Sequence, residues 1–278
     1  MYDGKLWKDL FVINGMPFLS VPNNLCLALN VDWFNPYEET NYSVGAIYLV
    51  VLNLPRNERY KEENTILVGM IPGLSEPKDH ISTFLSPLVQ DMQTLFDGVT
   101  FHSAAIGLFT IRATLACITC DLPATRKVCG FSNFNGTHGC SKCLKEFVTQ
   151  DFGDKPLFNG FDCSTWMPRS NDTHKRKATE FQQACTASEC KRILHQWGVK
   201  PSELLFLPHF DMVRCHVIDP MHCVFLGLAK HTIKTWKELG VLEDNHFSLL
   251  HKNVDCIVPP SKIDRIPRKV ESKNFFHS

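Results

Sequence analysis

Residues 114–147 read TLACITCDLPATRKVCGFSNFNGTHGCSKCLKEF, and this stretch decides the fold. Its apolar start stops at one carboxylate, Asp121. Pro123 comes two residues later, which suits the first turn of a helix. Cys140 and Cys143 follow on a polar loop that contains glycine. The stretch therefore predicts a buried strand ending in an acid, then a helix, then a loop with two thiols. Carboxylates and thiols are both common metal ligands.

Three apolar runs and one amphipathic segment come before this stretch. The runs cover residues 25–31, 45–54 and 65–71, and Asp32 directly follows the first. Because the runs are separated by hairpin-length spacings, they predict a three-stranded antiparallel unit. Residues 81–96 carry apolar side chains at helical spacing, which predicts a helix with one apolar face.

The predicted element order is three strands, a helix, an apolar segment over residues 106–120, and another helix. The apolar segment is either one long strand or a helix–strand pair. This order matches the start of a ribonuclease H-like α/β core with a mixed sheet, in which the first and fourth strands are neighbours. Asp32 and Asp121 would then lie together and could bind Mg²⁺ or Mn²⁺ for displacement at phosphorus. Alternatively, each acid is an ordinary turn residue.

Composition limits the class of protein. Lys and Arg number 29, as do Asp and Glu, whereas a protein that only clamps nucleic acid is usually basic. The twelve cysteines include several in apolar runs, which argues against a secreted disulfide scaffold. The first residues lack the pattern of a signal peptide, and no apolar stretch reaches the length of a membrane helix. We expect a reducing, intracellular compartment and no membrane partner.

Cys140 and Cys143 have the spacing of half a zinc site, and a structural site needs four ligands. The remaining ligands would come from His138, Cys129, Cys163, His222 or Cys223. The alternative is a pair of free thiols. A redox pair is less favoured, because it should open a helix after a strand.

The segment DPMH at 219–222 opens a predicted helix through residue 239. Asp219 is placed as its N-cap and Pro220 as its first residue. Asp219 and His222 share a face and could bind a metal or a phosphate, but an N-cap with a buried histidine is the favoured interpretation.

The predicted organisation has four parts. Residues 1–131 form the first part of the core, and residues 132–203 form an insertion with the Cys-x-x-Cys pair and a helix over 174–197. Residues 204–258 carry the DPMH segment, and residues 259–278 form a basic tail.

Five short segments, taken in order, resemble one family. They are VDWFNPY at 31–37, LNLP at 52–55, DLPA at 121–124, GCSKC at 139–143 and DPMH at 219–222. Their order and spacing resemble those of the eukaryotic CACTA (En/Spm)-type DDE transposases. One departure is Trp33, where the family commonly has glycine.

The resemblance implies Mg²⁺ bound by Asp32 and Asp121, and DNA cleavage and joining without a covalent intermediate. It also implies transposon-end DNA as a partner, a nuclear location and a homo-oligomer. The family's third acid is a Glu on a helix well after the DPMH block, and Glu238 and Glu243 come too soon to replace it. We therefore expect a truncated or domesticated transposase with low or absent activity.

Two other functions remain open. One is a domesticated, zinc-stabilised protein that binds DNA or protein partners without catalysis. The other is an unrelated ribonuclease H-like nuclease, which would need another acid such as Asp91 or Glu76.

Overall fold

The structure is a computed structural model that describes residues 4–13, 15–37, 42–73, 77, 81–147, 162–207, 209–256 and 258. The chain divides into two units, Met1–Ile218 and Asp219–Ser278. The predicted basic tail and Glu76 lie outside the described residues.

The first unit contains both strands and helices. Its elements are α1 (Lys5–Asp9), β1 (Val12–Ile13), β2 (Met16–Pro17), β3 (Leu25–Phe34), β4 (Val44–Val51), α2 (Arg56–Arg59), β5 (Thr65–Ile71), α3 (Ile81–Asp97), β6 (Val99–Ser103), β7 (Gly107–Ile111), β8 (Ala113–Ile118), α4 (Leu122–Cys129), α5 (Asn171–Gln183) and α6 (Ala187–Trp197).

A mixed four-stranded sheet forms the centre of this unit, with the strand order β5-β4-β3-β8. β4 pairs antiparallel with both β3 and β5, whereas β8 pairs parallel with β3. These pairings confirm the predicted α/β class, the antiparallel three-strand unit and the contact between its first strand and the strand before Asp121.

One face of the sheet is covered by α3 and α4. The buried residues of α3 are Ile81, Leu85, Val89 and Met92, which recur on one side of the helix as its sequence predicted. Burying an aliphatic side chain of this size contributes about 1.5–3 kcal/mol. This face therefore holds the larger of the apolar clusters in the described structure.

The opposite face is covered at one end by α1 and the β1–β2 hairpin. Trp7 and Phe18 pack there against Cys26 and Ala28 of β3. Because side chains alternate along a strand, Asn30 and Asp32 continue the same face toward the end of β3.

Four predicted boundaries were wrong. β3 continues past Asp32 to Phe34, and β4 stops at Val51. The apolar segment over 106–120 is neither one strand nor a helix–strand pair: it contains β7 and β8, and β7 forms a hairpin with β6. The helix expected over 174–197 is two helices, because Thr186 caps α6 by accepting a hydrogen bond from the Glu189 amide.

The second unit is helical in its described part. A π-helix, Met221–Ala229, continues into α7 (Lys230–Glu238), and α8 (Asp244–Asp255) follows. The helix through residue 239 is thus confirmed in outline, but Pro220 takes the N-cap position that was predicted for Asp219. The Asp219 carboxylate accepts a hydrogen bond from the Met221 amide instead.

Candidate metal centre and cysteine loop

The parallel pairing of β3 and β8 brings Asp32 and Asp121 to the same end of the sheet. Leu29 pairs with Ile118, and the Thr119 amide donates to the Leu29 carbonyl over 2.9 Å. Continuing this register by three residues puts Asp121 beside Asp32. Neighbouring strands lie about 4.8 Å apart, so the backbones at Asp32 and Asp121 are close to each other.

Electrostatics also indicate that the two acids are neighbours. The pKa of the Cys120 thiol is raised to about 12, mainly by burial, and the carboxylates of Asp121 and Asp32 contribute in the same direction. The Cys120 sulfur accepts a hydrogen bond from the Val31 amide over 3.0 Å. One buried thiol between the two strand ends is therefore affected by both carboxylates.

The donor atoms at this edge suit a hard divalent cation. Asp121 Oδ1 accepts from the Ala124 amide over 2.7 Å, which caps α4 and fixes the carboxylate. Asp32 is exposed, and Asn30 lies on the same face. Asn30 Nδ2 donates to the Thr119 carbonyl, whereas its buried Oδ1 accepts no hydrogen bond from any described residue. Carboxylate and amide oxygens are the ligands that Mg²⁺ and Mn²⁺ prefer, so these residues fit such an ion.

The described residues do not supply a third acidic ligand beside Asp32 and Asp121. No group of three or more His, Cys, Asp or Glu side chains that could hold a metal occurs among them. Asp91 is exposed on α3, which packs on the other face of the sheet. In the second unit, Glu238 lies 3.8 Å from Lys234, and Glu243 belongs to the capping box of α8.

A cation–aromatic contact next to the acids was not predicted from the sequence. Lys127 Nζ, on α4, lies 5.1 Å from the centre of the Trp33 ring. Trp33 directly follows Asp32 in β3, and Lys127 belongs to the helix that Asp121 caps. The residue that departs from the resembled family thus joins α4 to the strand end that carries the first acid.

The cysteine loop brings the thiols of Cys140 and Cys143 together. The Lys142 amide donates to Cys140 Sγ and the Lys145 amide donates to Cys143 Sγ, each over 3.4 Å. Burial raises the pKa of the Cys143 thiol, and the neighbouring Cys140 raises it further. A bound cation would reverse that shift, because a metal favours the thiolate form.

Arg169 holds this loop in place. It donates to the carbonyls of Cys140, Trp197 and His138 over 2.8, 2.5 and 2.9 Å. Burial lowers the pKa of Arg169 to about 10, and the two thiols oppose that shift. A single buried guanidinium therefore joins the loop to the end of α6.

A second set of contacts docks the loop onto the segment before residue 218. His216 Nδ1 lies 2.7 Å from the Met212 carbonyl, and its Nε2 lies 2.9 Å from Ser141 Oγ. Because a carbonyl only accepts, Nδ1 carries the hydrogen and Nε2 accepts from the Ser141 hydroxyl. Lys142 Nζ donates to the Val213 carbonyl over 2.6 Å. Nothing in the sequence pattern identified His216 or Arg169 as partners of this loop.

The predicted zinc partners lie in different places. The Cys129 thiol is fully buried in the main core, and burial raises its pKa well above the usual value. His138 lies on the loop itself, with Nδ1 3.1 Å from the Leu144 carbonyl. The side chain of Cys163 lies outside the described part of the structure. His222 and Cys223 belong to the second unit.

Asp219 and His222 contact each other at the start of the second unit. The hydrogen bond between Asp219 Oδ2 and His222 Nδ1 lowers the pKa of the Asp219 carboxyl. The His222 side chain is 49% exposed, which corrects the expectation of a buried histidine.

Among the helices of the described residues, none has the length and apolar character to cross a membrane.

Comparison with known proteins gives one family-level finding. A family model described as Transposase family tnp2 matches residues 1–196, a segment that holds Asp32, Asp121, Cys140 and Cys143. The comparison with curated proteins gives no match.

Proposed function

This chain belongs to the transposase family tnp2, and on that premise we propose that Asp32 and Asp121 form the metal-binding part of a centre for DNA cleavage and joining. The observation that supports the proposal is the parallel pairing of β3 and β8, because continuing its register beyond Leu29 and Ile118 brings Asp32 beside Asp121. The element order supports a ribonuclease H-like core, and the segment order supports the CACTA-type DDE class. A DNA-acting protein of this family would work in the nucleus.

The chain's own residues would position the reaction. Asp32 and Asp121 would hold the ion through carboxylate oxygens, and the cap of α4 orients Asp121 before the ion arrives. When bound, Mg²⁺ or Mn²⁺ activates a water or 3′-hydroxyl and neutralises charge at the transferring phosphorus. Two carboxylates hold such an ion more weakly than three. We therefore expect strand transfer by this chain alone to be low or absent.

Iron-directed cleavage of the protein tests the location of the ion. Fe²⁺ with ascorbate and peroxide cuts a backbone close to the bound metal, and mass spectrometry maps the cuts. We expect cuts near Asp32 and near Asp121, both competed by Mn²⁺ and lost in Asp32→Asn and Asp121→Asn. Cuts confined to other segments would overturn the assignment of the pair. Robust Mg²⁺-dependent strand transfer that is lost in Asp121→Asn would instead overturn the expectation of low activity.

The cysteine loop favours a second candidate, a zinc-stabilised binding protein that kept the fold without catalysis. The supporting observation is the pair of amide-to-sulfur hydrogen bonds on a loop held by Arg169. Metal analysis should find about one zinc per chain, since a structural site holds one ion. Cys140→Ser/Cys143→Ser should lose it, whereas Cys185→Ser/Cys190→Ser, on α5–α6, should keep it. A protein that binds zinc at the cysteine loop but binds no metal at the acid pair would favour this second candidate over the first.

A further inference from the structure

A cleft of about 440 Å³ opens beside α4, on the side of the sheet away from the acid pair's face. Among the described residues that line it, three are basic, Arg126, Lys127 and Lys200, and one is acidic, Glu203. The described part of the lining therefore carries more positive than negative charge, and basic side chains of this kind bind phosphate groups.

The backbone fixes the three basic residues relative to each other. Arg126 and Lys127 lie in the last turn of α4, which ends at Gly130 with φ +69°. The Lys200 amide donates to the Gly130 carbonyl over 2.8 Å. A Cβ at Gly130 would lie 2.3 Å from the Lys200 carbonyl oxygen, so only glycine permits this approach. The basic rim is thus preorganised, which reduces the ordering cost of binding.

Arg126 is partly removed from water without a carboxylate partner. Burial lowers the pKa of its guanidinium, and Nη1 donates to the Ser132 carbonyl over 2.9 Å. No acidic side chain among the described residues forms an ion pair with it. Because a desolvated cation is stabilised by an opposite charge, an anionic group in the cleft would improve this environment.

The floor of the cleft is apolar and partly aromatic. Phe131 is buried, and Phe181 and Leu194 are half-buried. The amide side chains of Asn133 and Gln182 also line the cleft. A flat apolar surface beside amides and a basic rim matches a nucleotide, whose base stacks on aromatic rings and whose phosphate binds cations.

The cleft is linked to the acid pair through α4 and Trp33. Lys127 contacts both the cleft and the Trp33 ring, and Trp33 follows Asp32. Asp121 caps the same helix six residues before Lys127, a rise of about 9 Å along the axis. One or two nucleotides of a DNA strand would span this distance.

We propose that this cleft binds an unpaired nucleotide of the DNA strand that passes the acid pair. The identity of the strand as DNA rests on the proposed function. The cleft would recognise a nucleoside phosphate, which is present both in a DNA strand and in a free nucleotide. The test must therefore distinguish these two ligands.

Fluorescence anisotropy with a labelled single strand of about 12 nucleotides, in EDTA, measures this binding without the metal. We expect Lys127→Ala/Lys200→Ala to weaken binding by about tenfold or more and to lower its salt dependence. Lys191→Ala/Arg192→Ala removes the same charge from the exposed face of α6 and should change binding by less than about twofold. Phe181→Ala should weaken binding by about tenfold, and Phe181→Tyr should restore it.

Other outcomes overturn the proposal. If Lys127→Ala/Lys200→Ala and Lys191→Ala/Arg192→Ala lost the same amount of binding affinity, general charge attraction would explain the binding. A matching duplex that binds as tightly as the single strand, or free dAMP that competes as well as the strand, would exclude an unpaired nucleotide within a strand. Circular dichroism confirms that each variant is folded. Asp32→Asn/Asp121→Asn removes negative charge beside the strand and should not weaken binding in EDTA, so a failure of the metal assignment at the acid pair can be distinguished from a failure of the cleft.

Discussion

The acid pair and the cysteine loop are positioned in opposite ways. Asp32 lies in β3 and Asp121 follows the end of β8 by three residues, and the parallel pairing of these two strands brings the acids to the same end of the sheet. The cysteine loop has no strand or helix of its own between residues 132 and 147, and side chains from later in the chain hold it. The comparison teaches that substitutions of buried side chains should disrupt the loop far more than the sheet edge.

Replacing Arg169 should have the largest effect on the loop. Arg169→Met removes three hydrogen bonds that a buried, charged donor makes to the carbonyls of the loop and of α6. We expect the free energy of unfolding to fall by about 3–4 kcal/mol in urea denaturation. Arg192→Met, exposed on α6, should lower it by less than about 0.5 kcal/mol. Similar losses in both variants would contradict the role of Arg169.

Gly139 should be the next most sensitive position. A Cβ there would lie 2.1 Å from the Phe134 carbonyl oxygen, which forces the backbone of the loop to move. Gly139→Ala should lower the free energy of unfolding by about 2–3 kcal/mol. Gly69→Ala, in β5, meets Ile47 at an ordinary 3.6 Å and serves as the control. If Gly139→Ala and Gly69→Ala lowered the free energy of unfolding equally, the loop would not be closely packed at residue 139.

The pH dependence of stability should also distinguish the two regions. Burial lowers the pKa of both His174 and His216 to about 4, with Lys142 and Arg126 facing His216 and Arg169 facing His174. The folded state keeps both rings neutral while the unfolded chain binds protons below about pH 6.5. The stability contributed by the neutral rings is therefore fully present above pH 6.5 and is lost as the pH falls from about 6.5 to about 4, by about 3 kcal/mol for each ring.

His216→Gln should flatten this dependence in thermal melts between pH 7 and 4. His195→Gln, exposed on α6, should leave it unchanged. A His216 variant with the same slope as the wild type would show that this ring is not held neutral by the loop.

The smallest effect concerns the cap of α4. Asp121→Ala loses the hydrogen bond from the Ala124 amide and should cost about 1 kcal/mol, whereas Asp121→Asn keeps an N-cap and should cost less than about 0.5 kcal/mol. Urea denaturation measures both. Equal losses would mean that charge, rather than the cap, stabilises this helix.

Sequence reasoning succeeded where periodicity and backbone pairing decide the outcome. The apolar runs before Asp32 and Asp121 predicted two buried strands, and the element order predicted that they are neighbours. Pro123 marked the start of α4 correctly. The local sequence pattern was sufficient to predict β3 and β8 because both strands are buried in the sheet and are therefore mostly apolar.

Prediction failed where a distant side chain or a single turn decides the structure. The β6–β7 hairpin depends on Gly98 and Gly107, both at positive φ within a segment of apolar, β-branched residues. Arg169 and His216 contact the cysteine loop across long sequence separations, and a lone arginine or histidine carries no pattern that reveals this. The assignment of Asp32 and Asp121 to a metal therefore stays a prediction, as does the zinc site.

Binding of Mn²⁺, followed by electron paramagnetic resonance of the free ion during a titration, tests the central claim most directly. We expect the wild-type protein to remove Mn²⁺ from solution, and we expect Asp32→Asn and Asp121→Asn each to weaken this binding by at least about tenfold. Asp91→Asn, on the other side of the sheet, should bind like the wild type. Equal Mn²⁺ binding by the wild type and both acid-pair variants would contradict the claim that this sheet edge is a metal centre.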